Sequence, residues 1–347
     1  MRPVLVTGGA VFIGCNLADR LAAEGYDVLV FDSLARPGVA ANLDWLRRRH
    51  PRRVSASVAD IRDVDAVGMA AREASAVFHL AGQTAVTTSL VDPSEDFDVN
   101  LRGTFNILEA VRRRPDPAPV IFASTNKVYG DLADVDLELD GDEWGPSEPG
   151  LRARGVAETR PVSFHTPYGC SKGAADQYVL DWSRSYGVPT AVLRMSCIYG
   201  PHQRGTEDQG WVAHFLLRAM AGEPITVFGD GRQVRDVLYV DDAVAAYLAA
   251  WRRIGAVSGR AFNLGGGPAN AVSLRRLLAH LGVLLRRDVD LKFEASRPGD
   301  QRWFVADMSA ARAALGLATP VGWQAGLAQL HDWMRGERVE AMAERAA

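Results

Sequence analysis

Lysine is nearly absent. In 347 residues only Lys127, Lys172 and Lys292 occur, against a lysine-plus-arginine total of 39. Where arginine is the habitual cation, a lysine marks a place that needs a compact ammonium; the first two fall inside motifs, and Lys292 does not. Cysteine is as scarce. Cys15, Cys170 and Cys197 are too few and too scattered for a disulfide framework or a zinc site. None of the seven histidines has metal-ligand spacing, so no metal is expected. Long apolar runs are missing too: nothing approaches the ~20 residues of a membrane span. The opening MRPVLVTGG passes directly into a strand and leaves no room for a signal peptide. These absences point to the cytoplasm, with no membrane partner. Charge of neither sign is in excess, the formal net being −3. Arginine runs such as LRRRHPRR and AVRRRPDP sit at expected helix ends, where cations complement the helix dipole; nucleic acid is not the expected partner.

One glycine is missing as well. VTGGAVFIGCNL, residues 6–17, runs from a strand into a helix with Gly8 and Gly14 in place. The middle glycine of a dinucleotide-binding turn, where the backbone approaches the pyrophosphate, is replaced by Val11. If the turn needs positive φ there, a β-branched residue is strained by roughly a few kcal/mol. If it needs only room, the isopropyl group crowds the pyrophosphate. Either case weakens binding and neither abolishes it. Asp32 ends the next strand, in VFDS, where an acid accepts hydrogen bonds from an adenosine ribose and favours NAD over its 2′-phosphorylated form. An aspartate there also suits a turn cap. ADIRD sets Asp60 beside the adenine end, and HLAGQ supplies the small Ala81 and Gly82 at a strand end.

The first half alternates continuous apolar runs with amphipathic helical patterns, which predicts an α/β fold with a doubly wound parallel (Rossmann) sheet. After residue 200 the rhythm changes, with a helix, a short strand pair around Gly229–Gly231 and another helix. The expected division is a dinucleotide-binding domain from 1–199 plus about 236–264, and a smaller mixed α/β substrate-binding lobe from about 200–235 plus 265–347. The acidic, glycine-rich stretch 131–155 reads as a long flexible loop or lid.

The reacting centre is read from TPYGCSKGAADQY, which puts Tyr168 and Lys172 four apart on one helix face. A phenol near its ordinary pKa of about 10 is a poor base at neutral pH, and a nearby ammonium favours the phenolate. FASTNKVYG offers Thr125 at a strand end to steady a substrate hydroxyl.

These strings resemble the extended short-chain dehydrogenase/reductase family of nucleotide-sugar epimerases and dehydratases, nearly end to end. HLAGQTAVTTS, STNKVYGDL, PYGCSKGAADQYVLDW, TEDQGWV and GRQVRDVL are most similar to its branch acting at C2 of CDP-hexoses. The resemblance implies NAD as cofactor and Thr125, Tyr168 and Lys172 as catalytic residues. Tyr168 takes a proton from a sugar hydroxyl, a bound keto sugar turns its other face, and the returning hydride inverts the centre. It further implies cofactor contacts from Gly8, Val11, Phe12, Ile13, Gly14, Asp32, Ser33, Arg36, Asp60, Ile61, Leu80, Ala81, Gly82 and Asn100. A nucleotide-diphosphate sugar, with CDP favoured, would meet Gln83, Thr87, Thr88, Ser89, Asn126, Lys127, Gln209, Trp211, Arg235 and Arg302. The dehydratase relatives carry an Asp-Glu pair after the catalytic threonine, and the decarboxylating ones a glutamate; Asn126 and Lys127 stand there instead. Inversion at C4, and a non-catalytic binding homologue with a decayed cofactor turn, remain as alternatives. Pairing through the helices around 94–114 and 168–187 implies a homodimer or larger homo-oligomer.

Overall fold

Val dominates the short strands of the first half, with Leu, Phe and Ala, because both faces of the inner sheet are covered and most positions there reward an apolar residue. The computed structural model describes residues 2–297 and 299–346, of which 338–346 are described by backbone alone. In chain order its strands are β1 (Val4–Thr7), β2 (Val28–Asp32), β3 (Val54–Val58), β4 (Ala76–His79), β5 (Val120–Thr125), β6 (Leu137–Asp140), β7 (Glu143–Pro146), β8 (Thr190–Met195), β9 (Cys197–Tyr199), β10 (Ile225–Phe228), β11 (Val234–Tyr239), β12 (Arg260–Leu264), β13 (Ala271–Ser273), β14 (Leu291–Glu294) and β15 (Trp303–Phe304).

Seven of these form one parallel sheet in the order β12-β8-β5-β4-β1-β2-β3. Side chains alternate between two cores with the pleat. Val4, Val6, Val30, Phe78 and Ile121 face the Phe12–Ala23, Val39–Arg49 and Val240–Arg252 helices. Leu5, Phe31, Val77 and Phe122 face Val64–Arg72, Gly103–Arg112 and Thr166–Tyr186. Strand order reverses on either side of β1, so the crevice for a ligand opens beyond the carboxyl ends of β1 and β4.

A third core, with Val212, Phe215, Leu216, Leu277, Leu281 and Leu327, joins the Trp211–Ala221, Leu274–Leu285 and Trp323–Ala346 helices to β9, β10, β11, β13 and β14. Strands do flank Gly229–Gly231, but they do not pair with each other. β10 pairs in parallel with β14, while β11 pairs with β9, β13 and β15. Gly229 and Gly231, both at positive φ, carry the chain from one small sheet to the next.

The 131–155 stretch is not a loose lid. β6 and β7 make an antiparallel hairpin followed by the Pro149–Arg154 helix. Trp144 fastens the hairpin through its amide to Arg232 O (3.0 Å) and its indole N–H to Asp230 (3.1 Å), and Glu143 accepts from Ser273 N (3.1 Å).

Candidate active site

Val11 occupies the N-cap of the Phe12–Ala23 helix with φ −81° and ψ 171°, ordinary extended backbone. The strain expected of a positive φ is therefore absent, and only the room taken by its side chain remains. Gly8 is the residue that needs positive φ, at 66°. A Cβ there would lie 2.8 Å from Ala81 N, and one on Gly14 would lie 2.1 Å from Gly8 O. The helix start has no side-chain cap, so its first amides are free to meet an anion. A glycine-walled turn, an uncapped helix and an acid at the end of β2 fit a dinucleotide.

Asp32 is buried, and its carboxylate accepts from Ala10 N (3.0 Å) and Leu34 N (2.9 Å), so it shapes the turn while each oxygen keeps a second lone pair. Ser33 is exposed beside it. Arg36 reaches across the crevice to Gln209 Oε1 (2.5 Å), Thr84 Oγ1 (3.0 Å) and Gly82 O (3.4 Å), linking the end of β2 to the segment before the Trp211 helix. Asp60 is held by Arg62 (2.7 Å), whose hydrogen bonds keep its carboxyl below the usual range. Ile61 buries its side chain in the core against Gly103. Leu80, Ala81 and Gly82 line the crevice floor, half-buried, next to the buried Asn100.

Thr125 ends β5, and Tyr168 and Lys172 lie one turn apart on the Thr166–Tyr186 helix, 7% and 4% exposed. Burial pushes the Tyr168 phenol up, against the Thr125 hydroxyl and Arg36, which pull it down. Burial also lowers Lys172 to about 7, with Asp176 and Asp96 opposing, and its ammonium sits 4.2 Å from the centre of the Phe122 ring. Both charged forms are thus disfavoured in the free pocket. Thr166, two residues before Tyr168, has φ 64°, a strained value for a β-branched residue at the start of this helix.

On the substrate side, Asn126 and Lys127 follow Thr125 in a short 3-10 turn. Asn126 bonds Gln301 (3.4 Å), and Lys127 donates to Gly299 O (2.9 Å). Burial, helped by Arg235, lowers Lys127 to about 8. Arg235 is buried and paired with Asp300 (2.6 Å), so two cations share one carboxylate here. Trp211 donates to Cys197 Sγ (3.4 Å), and Thr87 keeps a buried hydroxyl without a partner. Ser89 is fully buried and its hydroxyl accepts from Tyr168 N (3.2 Å), which ties it to the start of the Thr166–Tyr186 helix. Thr88, one residue earlier, is exposed. Arg302 is also exposed and lies over the Trp144 ring (5.3 Å); Gln301 takes the inward position, donating to Gly130 O (2.5 Å). Gln301, Asp300 and the buried Asp96 escaped the reading of the sequence, and only the alternation of Gln301 with Arg302 leading into a strand signals any of them.

The model of the NAD dependent epimerase/dehydratase family matches residues 4–265. The CDP-paratose 2-epimerase of Salmonella typhi is 38% identical over 336 residues, spanning 95% of this chain and 98% of that protein. Among solved structures, the UDP-glucose 4-epimerase of Thermotoga maritima with UDP-glucose superposes with a TM-score of 0.83 at 30% identity, covering 96% of this chain and 99% of that one. The UDP-glucuronic acid 4-epimerase of Bacillus cereus, in complex with UDP-glucuronic acid and NAD, superposes at 0.82 and 26% identity over the same shares. With the glycine turn, Asp32 and the Thr125–Tyr168–Lys172 centre in one crevice, the chain belongs to the NAD-dependent epimerase/dehydratase family and is an epimerase enzyme whose cofactor is NAD.

Proposed function

We propose that the enzyme inverts C2 of a CDP-hexose through a transient keto sugar. The observation that carries this is the make-up of the reacting centre. Thr125, Tyr168 and Lys172 meet at the sheet edge, while Asn126 and Lys127 leave both positions after Thr125 without a carboxylate for elimination. The likeness to the Salmonella typhi enzyme supports the nucleotide and the carbon. Bound NAD+ supplies the hydride acceptor and donor and brings a positive charge into the pocket. Tyr168 takes the hydroxyl proton and later returns it, Thr125 holds the reacting oxygen, and Lys172 favours the phenolate. Lys127 and Arg235 carry the positive field that a diphosphate requires. The protein acts as a dimer through the exposed Phe105, Tyr178 and Tyr186.

Incubating the purified protein with CDP-paratose in deuterium oxide and following the sugar by proton NMR tests this. The expected product is inverted at C2 with no deuterium at carbon, because the same hydrogen leaves and returns. Inversion at C4 instead would transfer the proposal to the second reading, which the Thermotoga maritima superposition favours. No turnover of any nucleotide sugar, with no NAD(H) released on denaturation, would favour a binding protein.

A further inference from the structure

Asp96 lies on the short Pro93–Phe97 helix, facing the Thr166–Tyr186 helix, and is fully buried. One carboxylate oxygen accepts from Gln83 Nε2 (3.0 Å) and Asn100 Nδ2 (3.1 Å), and the other from Ser171 Oγ (2.5 Å). All three donors are neutral, and among the described residues no cation forms an ion pair with it. Burial pushes the Asp96 carboxyl up, and the hydrogen bonds from Ser171, Gln83 and Asn100 offset this only in part. A carboxylate so placed needs a reason.

Each donor belongs to a different wall of the site. Gln83 follows Gly82 beyond β4, Asn100 lies in the π-helical turn Asp98–Arg102, and Ser171 sits between Tyr168 and Lys172 on their helix. An ionised carboxylate only accepts, so both amides must turn their NH2 groups inward. Asn100 Oδ1 then faces away, buried and without a partner. A Cβ on Gly82 would lie 2.9 Å from this oxygen and 3.8 Å from Lys172 Nζ, so the two atoms flank one small space. The π turn is the local irregularity that brings Asn100 there, and such turns concentrate at working sites.

We infer that Asp96 is a positioning residue for the epimerase centre: its carboxylate sets the direction in which Gln83, Asn100 and Ser171 present their polar atoms around Tyr168 and Lys172, and it supplies the negative charge behind them. The inference rests on Tyr168 and Lys172 being the reacting pair. The charge of Asp96 pushes both groups upward. Facing Tyr168 there are also Arg36 and Thr125; facing Lys172 there are Asp176 and His79, which burial keeps neutral with a value of about 3. All of these persist when Asp96 is changed.

Asp96→Asn keeps the shape, removes the charge and places an NH2 among donors. With the nucleotide sugar that the wild type turns over, kcat should fall about tenfold or more while KM changes less than about threefold. Both limbs of the kcat–pH profile should move to lower pH by about one unit, since protons leave both groups more readily once the negative charge is gone. A substrate-free measurement separates failure of this inference from failure of the proposed reaction. The ultraviolet tyrosinate titration of NAD-free protein, taken as a difference against Tyr168→Phe in each background, reads Tyr168 alone. Lys172, at about 7, is already neutral over that range, so the midpoint should drop in Asp96→Asn through the lost charge itself. Folded Asp96→Asn with unmoved limbs and an unmoved tyrosinate midpoint would overturn the inference, whatever its kcat. If that variant does not fold, Asp96→Glu decides. Retained charge should leave limbs and midpoint at wild-type values with kcat lowered, and displacement of either would overturn the inference.

Discussion

At Val11 a residue that looks like a defect costs only volume. With φ at −81°, any L-residue suits the backbone there, so glycine has no conformational advantage. Val11→Ala should therefore tighten NAD binding nearly as much as Val11→Gly, each by several-fold, as read by equilibrium binding to protein freed of its cofactor. A gain confined to glycine would mean that the loaded turn adopts a different backbone. The sequence showed which glycine was missing but not the dihedral that decides its meaning, because φ at a helix N-cap depends on how the turn closes. Tyr168, Lys172 and Thr125 were legible for the opposite reason: fixed spacing on one helix and position at a strand end define them locally. Asp96 was not legible. In SEDFDVN it reads as one more acid on a solvated helix, and its partner Ser171 is 75 positions away.

The Thr166–Tyr186 helix carries two burdens. It starts from a strained Thr166, and it buries the Lys172 ammonium one turn from Asp176. The folded-state value of Lys172, about 7, lies below its ordinary one, so the folded protein binds fewer protons than the unfolded chain between roughly pH 7 and 10.4. The burial penalty is full below that window and fades as pH rises through it. Lys172→Met should accordingly raise the melting temperature by several degrees at pH 6 and by much less at pH 10, while abolishing turnover. An equal gain at both pH values would place the lysine in a more solvated setting. The β6–β7 hairpin shows what composition hides at this scale. Acidic and glycine-rich residues suggest a lid, yet one tryptophan docked on distant backbone makes a fixed element, and that contact is non-local.

For the molecule as a whole, the doubly wound sheet was predictable because both halves of the pattern, continuous apolar strands and amphipathic helices, repeat along the chain. The pairing of β10 with β14 was not, because it joins segments more than sixty residues apart around Gly229–Gly231. The exposed Phe105, Tyr178 and Tyr186 surround the buried Trp182 with ring centroids 5.0–5.8 Å from it, an aromatic face larger than a lone subunit needs in water. Phe105→Glu should halve the mass found by light scattering; an unchanged mass would exclude this face from the proposed dimer. The path of the chain has one more consequence. After leaving the large sheet at β8 to build β9, β10 and β11, it returns to lay β12 along the outer side of β8, then departs again. The large sheet is thus finished only by a strand made after part of its neighbour. A nascent chain that has emerged through residue 199 still exposes β8 as a bare edge, and the large sheet is complete only once residues 260–264 have been made.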